Sequence, residues 1–442
     1  MEARPARSLR EFLRILGERN LLREITEPVD PHLEIPEIHR RTLARGGPAL
    51  LFKNPKGSDF PLVTNLFGTT ERVRLAFGQK PRQLVEKLAR LVAGERPGFL
   101  KMLAPGAGLW DLLKVGQKKS RSAPVLEVGP LVPDFTVLPA TTSWPADGGP
   151  FLTLPLVMSA HPRSGNVNLG IYRMQIYGKG EAGMHWQIHK GGGNHYAEAE
   201  AMGQSLPLAV LNGGPPALIL AAIAPLPENV SELLLASMVL GERLETASVA
   251  GLAMPLPAQC EFAFLGEVRA GERRAEGPFG DHYGYYSMIH EYPVFRASAC
   301  YHRKDAILSA TVVGEPPQED YYLGEYLQEL LAPMIRLAMP QVIELRAFAE
   351  TGFHSLAAAR VRVRYHREAF SAALRILGEG QLSLTKVLMV ADGSVSLASF
   401  PKLLEWFLAR SDFSRDLFVF SEICQDSLDY TGPGVNRGSR MI

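Results

Sequence analysis

Apolar positions recur with a helical period near the start of the chain. Leu9, Phe12, Leu13 and Leu16 share one face, Ser8-Leu9-Arg10-Glu11 has the form of a capping box, and Gly17 stops the run. A turn at Pro28-Val29-Asp30-Pro31-His32 leads into a second expected helix through about Arg45, closed by Gly46 and Gly47. Ala49-Leu50-Leu51-Phe52 reads as a short buried strand, ended by Asn54-Pro55-Lys56-Gly57. A further helix carries Leu84, Leu88, Leu91 and Val92. Helices alternating with short strands make residues 1–115 a small α/β domain.

The texture then changes. Lys118-Lys119-Ser120-Arg121-Ser122 is polar and reads as a linker or exposed loop, and beyond it Pro and Gly recur among short apolar runs. Tyr172, Met174 and Ile176 alternate with Arg173, Gln175 and Tyr177, the period of a strand with one polar face. Residues 116–312 are therefore expected to be mainly β-structure, a barrel with helical insertions such as 227–240. In residues 313–442 a helix at about 323–337 precedes a strand marked by Val361, Val363 and Tyr365. A helix at 369–377, a buried strand at 386–390, a helix at 401–410 and a strand at 417–420 follow. That order predicts a second α/β domain with parallel strands. The fold class is α+β multidomain.

Composition narrows the field. A chain of 442 residues is too long for one core. A net charge of +1 gives no ground for nucleic acid or an acidic membrane surface as partner. Cys260, Cys300 and Cys424 lie far apart and form no C-x-x-C pair, which argues against a disulfide framework and a cysteine zinc cage and fits a reducing cytosol. Met1 is followed by Glu2 and Arg4 with no apolar segment, and the apolar run at 217–225 is too short to cross a bilayer. The expectation is a cytoplasmic protein without stable membrane insertion.

The stretch with most chemistry is Glu276-Gly277-Pro278-Phe279-Gly280-Asp281, followed by His282-Tyr283-Gly284-Tyr285-Tyr286. Its Gly-Pro-Phe-Gly turn cannot be helical and can aim both acids at one point. If both are shielded from water, one carboxyl is pushed up and holds a proton near neutral pH; otherwise this is a solvated surface turn. Asn168-Leu169-Gly170-Ile171-Tyr172-Arg173 supplies a guanidinium that either meets those acids or makes an ordinary surface pair. His185, His189 and His195 lie in one stretch. The four-residue spacing of His185 and His189 suits a helical zinc pair, but no Glu follows His185 and Gly191-Gly192-Gly193 discourages a helix. One histidine beside Asn and Glu oxygens suits a hard cation better. The glycine run also allows backbone N–H groups near a phosphate. Glu232 falls in the first turn of a helix, where an acid caps or ligates. Lys386 heads a buried strand and is either an edge lysine or a phosphate contact.

Together these stretches resemble the UbiD family of prenylated-flavin-dependent decarboxylases along nearly the whole chain. The match runs from Glu27-Pro28-Val29-Asp30-Pro31-His32-Leu33-Glu34, Gly47 to Phe52 and Asn65-Leu66-Phe67-Gly68-Thr69 through Asn168 to Arg173, Val230-Ser231-Glu232 and Glu276 to Asp281. It ends with Thr385-Lys386 and Ser414-Arg415-Asp416. The resemblance implies an N-terminal α/β domain, a central flavin-binding split β-barrel and a C-terminal α/β domain. It implies prenylated FMN held by Ile171, Tyr172, Arg173, His185, Trp186, Gln187, Lys190, Gly191 and Lys386. It implies manganese, with potassium as a second cation, on Asn168, His189 and Glu232. Arg173, Glu276 and Asp281 correspond to the catalytic trio: Asp281 protonates the carbon that CO2 has left, and Glu276 sets the charge and pose of Arg173. The implied reaction is loss of CO2, reversible at high CO2, from an aromatic or α,β-unsaturated acid, of hydroxybenzoate or naphthoate type in quinone biosynthesis. A flavin prenyltransferase would supply the cofactor, and the assembly would be a homo-oligomer. His185 and Lys190 stand where many relatives have arginine, Asp281 where some have Glu, and relatives continue beyond Gly438-Ser439-Arg440-Met441-Ile442 into a segment used in oligomer contacts. A flavin-phosphate carrier without turnover is the rival reading, and a metal-only hydrolase a third.

Overall fold

The computed structural model describes residues 4–92, 115–187, 190–226, 230–353, 355–423, 425–426, 428–431 and 438–442. The chain forms two compact units, Met1–Pro81 with Phe99–Leu323 and Arg82–Gly98 with Gly324–Ile442.

In the first unit the opening helix, Leu9–Glu18, buries Leu9, Phe12, Leu13 and Leu16, the face its spacing predicts. Half of the expected capping box forms: the Ser8 hydroxyl accepts from the Glu11 N–H at 3.1 Å, but Glu11 accepts from the Arg7 N–H at 2.7 Å, one residue before the cap. The Ala49–Phe52 strand is wholly buried, sandwiched between parallel Leu22–Ile25 and antiparallel Leu62–Thr64. The sheet is completed by Leu308–Ser309, so its last strand comes from far along the chain. The helix expected from Leu84 to Val92 is found as Lys80–Val92, and from Arg82 on it belongs to the second unit.

Seven strands make an antiparallel sheet, in the order Glu181–Gly183, His290–His302, Phe262–Glu276, Leu206–Asn212, Leu156–Ala160 and Val167–Ile171, with Val128–Leu131 beside His290–His302. Its core includes Phe135, Met174, Met184, Phe262, Phe264 and Phe295. Three expectations change here. Lys118-Lys119 is not a linker: Gln117–Lys119 is an exposed strand pairing in parallel with Leu244–Ala247. The alternating run at 172–177 is not one strand, because the chain leaves the sheet after Ile171 and re-enters a short ladder at Met174–Gln175. Gly191-Gly192-Gly193 does not prevent a helix but opens one, Gly191–Ala201. Glycine is needed in that first turn. A Cβ at Gly191 would strike the Asn168 amide, and one at Gly192 would lie 2.6 Å from Trp186 Nε1. Of the predicted insertion, residues 227–229 are outside the described set, and the helix is Glu232–Leu240. Among the described residues no helix is long and apolar enough to cross a membrane.

The second unit carries a five-stranded sheet, Val342–Ala347, Leu356–Val361, Val387–Ala391, Gly438–Met441 and Val419–Ile423 in spatial order. It is mixed rather than parallel: the three central strands are parallel and both edge strands antiparallel. The expected strand at 361–365 lies five residues earlier. Ala357 and Ala359 are fully buried against the Glu368–Leu377 helix core and Ala358 on the other face with Phe348, Leu397 and Leu403, while Val363 and Tyr365 lie beyond the strand and are exposed. Small alanines hide the strand from an apolar-alternation reading.

Candidate active site

The Phe262–Glu276 and His290–His302 strands form a long hairpin whose last pair is Glu276 with His290. Residues 277–289 close it, so Glu276 is fixed by the ladder and Asp281 by the loop. Gly277 sits at φ +99°, a conformation L side chains rarely adopt. The loop is tied down against residues 141–149. Asp147 accepts from the N–H groups of Gly280 at 2.8 Å and of Ser143 and Trp144 at 2.9 Å. Gly148 N–H donates to Pro278 O at 2.7 Å, and the Gln175 amide oxygen accepts from Gly277 N–H at 2.8 Å. The Trp144 indole N–H donates to Val313 O at 2.7 Å, its ring filling the space that a Cβ at Gly280 would occupy.

Arg173 comes from the break between Val167–Ile171 and Met174–Gln175, and the ladder's interruption is what frees it to turn inward. Its side chain is only 9% exposed, against 0% for Glu276 and 5% for Asp281. Arg173 Nε donates to Glu276 Oε1 at 3.0 Å, Nη1 donates to Asp281 Oδ2, and Nη2 reaches Ser287 Oγ at 3.4 Å. Its guanidinium lies 4.5 Å from the Phe279 ring centre. Of the two readings of Arg173, the surface pair is excluded and the meeting with both acids is what the structure shows.

The electrostatics correct one expectation. Burial pushes both carboxyls up, but for Glu276 it is outweighed by His185 and Arg173, and for Asp281 by Arg173 and His282. Both acids are therefore held below the usual carboxylate range, and no raised carboxyl stands ready in this pair. Asp281 Oδ1 accepts from the His282 backbone N–H at 2.8 Å and lies 2.8 Å from His282 Nδ1. Arg173 itself is held up by Asp281 and Glu276 against its own burial.

Around this cluster lie other predicted residues. Tyr172 is buried, its hydroxyl accepting from Gly192 N–H at 3.1 Å. His185 and Trp186 are buried, while Ile171, Gln187, Lys190 and Gly191 are half-buried. His185 is spent on the acids rather than facing outward: its Nδ1 lies 2.8 Å from Glu276 Oε1. Glu232 Oε2 accepts from Leu169 N–H at 3.1 Å, next to Asn168, and burial raises its carboxyl. The Asn168 Nδ2 and Trp186 Nε1 atoms are buried without a hydrogen-bond partner. The Asn168 amide oxygen and the Glu232 carboxylate, which no Lys or Arg pairs with among the described residues, are an oxygen donor set suited to a hard divalent cation. The third expected ligand, His189, lies outside the described residues; within them no cluster of three His, Cys, Asp or Glu is poised for a metal. Lys386 belongs to the second unit, where its Nζ lies 2.9 Å from Asp429 Oδ2 and bonds Thr431. The parts that sequence reasoning missed are Asp147, Gln175 and Ser287. They sit in irregular segments or in ordinary strand positions, with no spacing to mark them.

A buried guanidinium spanned between two acids at the end of a hairpin, with Asn168 and Glu232 on either side of Leu169 N–H, is an arrangement able to take up an anionic substrate. The domain comparisons agree with that reading. Residues 117–316 match the 3-octaprenyl-4-hydroxybenzoate carboxy-lyase Rift-related domain, 13–92 its N-terminal domain and 321–442 its C-terminal domain. The chain belongs to this family, UbiD, whose members are carboxy-lyases. It is 51% identical over 446 residues to an uncharacterized protein of Chlamydia trachomatis, covering 98% of this chain and 75% of that one. It is 49% identical over 441 residues to a Chlamydia pneumoniae protein named as a subunit of 4-hydroxybenzoate decarboxylase, covering 98% and 74%. Among solved structures, a UbiD-class enzyme of Pelotomaculum thermopropionicum in complex with FMN superposes with a TM-score of 0.78 at 26% identity, over 98% of this chain and 93% of that one. The closed form of Sedimentibacter hydroxybenzoicus vanillic acid decarboxylase gives 0.87 at 23% identity, over 99% and 91%, a likeness of fold. The three-domain UbiD architecture is thus this chain's architecture.

Proposed function

We propose that this chain is a non-oxidative decarboxylase of an aromatic or α,β-unsaturated acid, using prenylated FMN and a divalent metal, manganese by expectation. The observation that carries it is Arg173 buried between Glu276 and Asp281. A carrier needs no such trio. Support for the cofactor comes from the Pelotomaculum enzyme, solved with FMN and, in an evolved dimeric form, with prenylated FMN. The substrate favoured is a hydroxybenzoate- or naphthoate-type acid, a quinone precursor, in line with the Chlamydia pneumoniae protein's name. A flavin prenyltransferase as supplier and a homo-oligomeric assembly complete the proposal.

Asn168 and Glu232, with His189, would hold the metal, and Tyr172, Trp186, Gln187, Lys190 and Gly191 would line the flavin. When bound, the modified flavin supplies the electron sink for the pair left behind by CO2. The protein's own part is electrostatic. Arg173 has N–H groups beyond those given to the acids and anchors the substrate carboxylate through them. As that carboxylate takes a share of the guanidinium, Asp281 keeps His282 but loses part of its main counter-ion, so its carboxyl rises from its depressed position and takes up a proton. Asp281 then delivers that proton to carbon as CO2 departs, while Glu276 keeps Arg173 in place. The test is protein co-produced with a flavin prenyltransferase and offered a panel of aromatic acids. CO2 release with a modified flavin spectrum is expected; full cofactor content without turnover on any acid would refute the decarboxylase.

A further inference from the structure

His185 is bound to the trio twice. Its backbone N–H donates to Arg173 O at 3.3 Å, and its Nδ1 lies 2.8 Å from Glu276 Oε1, the oxygen that also takes Arg173 Nε at 3.0 Å. The imidazole is 5% exposed and lies 4.2 Å, centre to centre, from the Tyr292 ring. Glu276 Oε2 has no hydrogen-bond partner. The pose of the carboxylate therefore depends on the two donors at Oε1. The charged groups facing His185 are Arg173, Glu276 and Asp281; those facing Glu276 are Arg173 and His185, with the Tyr177 hydroxyl nearby. Burial and Arg173 favour the neutral imidazole, so the hydrogen that Glu276 draws sits on Nδ1 and Nε2 is left bare.

We propose that His185 is a positioning residue: its Nδ1–H holds Glu276 Oε1, keeping that buried acid ionised and Arg173 spanned between Glu276 and Asp281. This rests on the trio being catalytic. Removing the donor leaves Arg173 as the one group opposing the burial of Glu276. The acid then takes a proton at higher pH and loosens its hold on Nε.

Three variants separate this role from its rivals. Asn at this position places an amide N–H near the Nδ1 site, Gln places its amide near Nε2, and Phe keeps only the ring against Tyr292. His185→Phe is expected to lower kcat about 10- to 100-fold, the loss of one hydrogen bond to a charged group. Flavin content and KM should stay near wild type, and the acid limb of the kcat profile should move to higher pH. His185→Asn should restore both and His185→Gln neither. A readout free of turnover is the infrared carboxyl band of cofactor-free protein titrated with acid. The Phe variant should show the band at higher pH than wild type, and Glu276→Gln should remove it. Wild-type titration and kcat in His185→Phe would overturn the proposal. So would rescue by Gln but not Asn, which assigns the work to Nε2. Absence of turnover in the wild-type holoenzyme would refute the decarboxylase reading alone, since the infrared titration still decides the role of His185.

Discussion

Replacing Arg173 with methionine keeps an unbranched apolar stem reaching about as far as Nε and removes the one guanidinium shared by two buried acids. Glu276 is then left with His185, and Asp281 with His282. Removing one partner of a buried ion pair costs about 3–5 kcal/mol, because the charge left behind stays desolvated. The cost is shared by the two acids, each of which loses the guanidinium that offsets its burial. The pH dependence carries the sharper sign. In wild type both folded pKa values lie below the unfolded ones, so their contribution is fully present above about pH 4–5 and is lost as pH falls through the folded values. In Arg173→Met burial dominates and the folded values lie above the unfolded ones. The deficit is then largest at neutral pH and shrinks as pH falls towards about 5. Thermal melting of both proteins at about pH 7.5 and 5 measures this. The gap in Tm between wild type and variant should be wide at the higher pH and narrow at the lower. Equal gaps at both, or no gap, would show that the acids do not depend on Arg173, and the account of the site would fall with it. Decarboxylation should be lost at either pH.

Asp281→Asn keeps size and hydrogen bonding but has no carboxyl proton; turnover should fall about 10²–10⁴-fold at unchanged flavin content, measured by CO2 release and flavin absorbance. Glu232→Ala should lose metal and flavin together while melting near wild type, since among the described residues the acid accepts only from backbone N–H groups, its own and that of Leu169; metal analysis alongside the flavin spectrum checks it. Gly280→Ala puts a Cβ into the Trp144 ring, which Arg40 covers from 4.0 Å. That overpacking should cost about 1–3 kcal/mol in thermal melting and lower kcat, because the displaced residue adjoins Asp281.

Much of this was legible in the residues. Ser8 and the Leu9–Glu18 face, the Ala49–Phe52 strand and the acids of the turn follow from periods and turn chemistry that act locally. What failed was set by distant contacts. Arg173 lies in a run that alternates like a strand, yet residues 172–173 leave the sheet because the next ladder is with Phe151–Leu152 rather than with the preceding partner. The charge state of Asp281 also depended on partners far along the chain. A carboxyl between Gly and His carries no mark of the guanidinium 108 positions away that holds it ionised. Asp147 was invisible for a like reason: its three N–H donors exist only once residues 141–149 and the hairpin loop are folded together.

The charge count of the pocket bears on how the proposed reaction proceeds. One guanidinium faces two ionised acids, and His185 is held neutral, so Arg173, Glu276 and Asp281 together carry one net negative charge. A substrate carboxylate entering the same buried space would bring a second, and like charges in low dielectric cost several kcal/mol unless a proton enters with them. Glu276 is the poorer acceptor, because the strand end, His185 and Arg173 Nε all fix it as the ion. Asp281 shares Arg173 Nη1, the arm that also has an N–H for the substrate, and so it is the group whose counter-ion is diluted on binding. The proton required for neutrality thus arrives with the substrate and lands on the acid from which carbon is protonated. An acid held ionised in the free protein is in this way compatible with a donor in the complex, and the spanned guanidinium is what separates the two states.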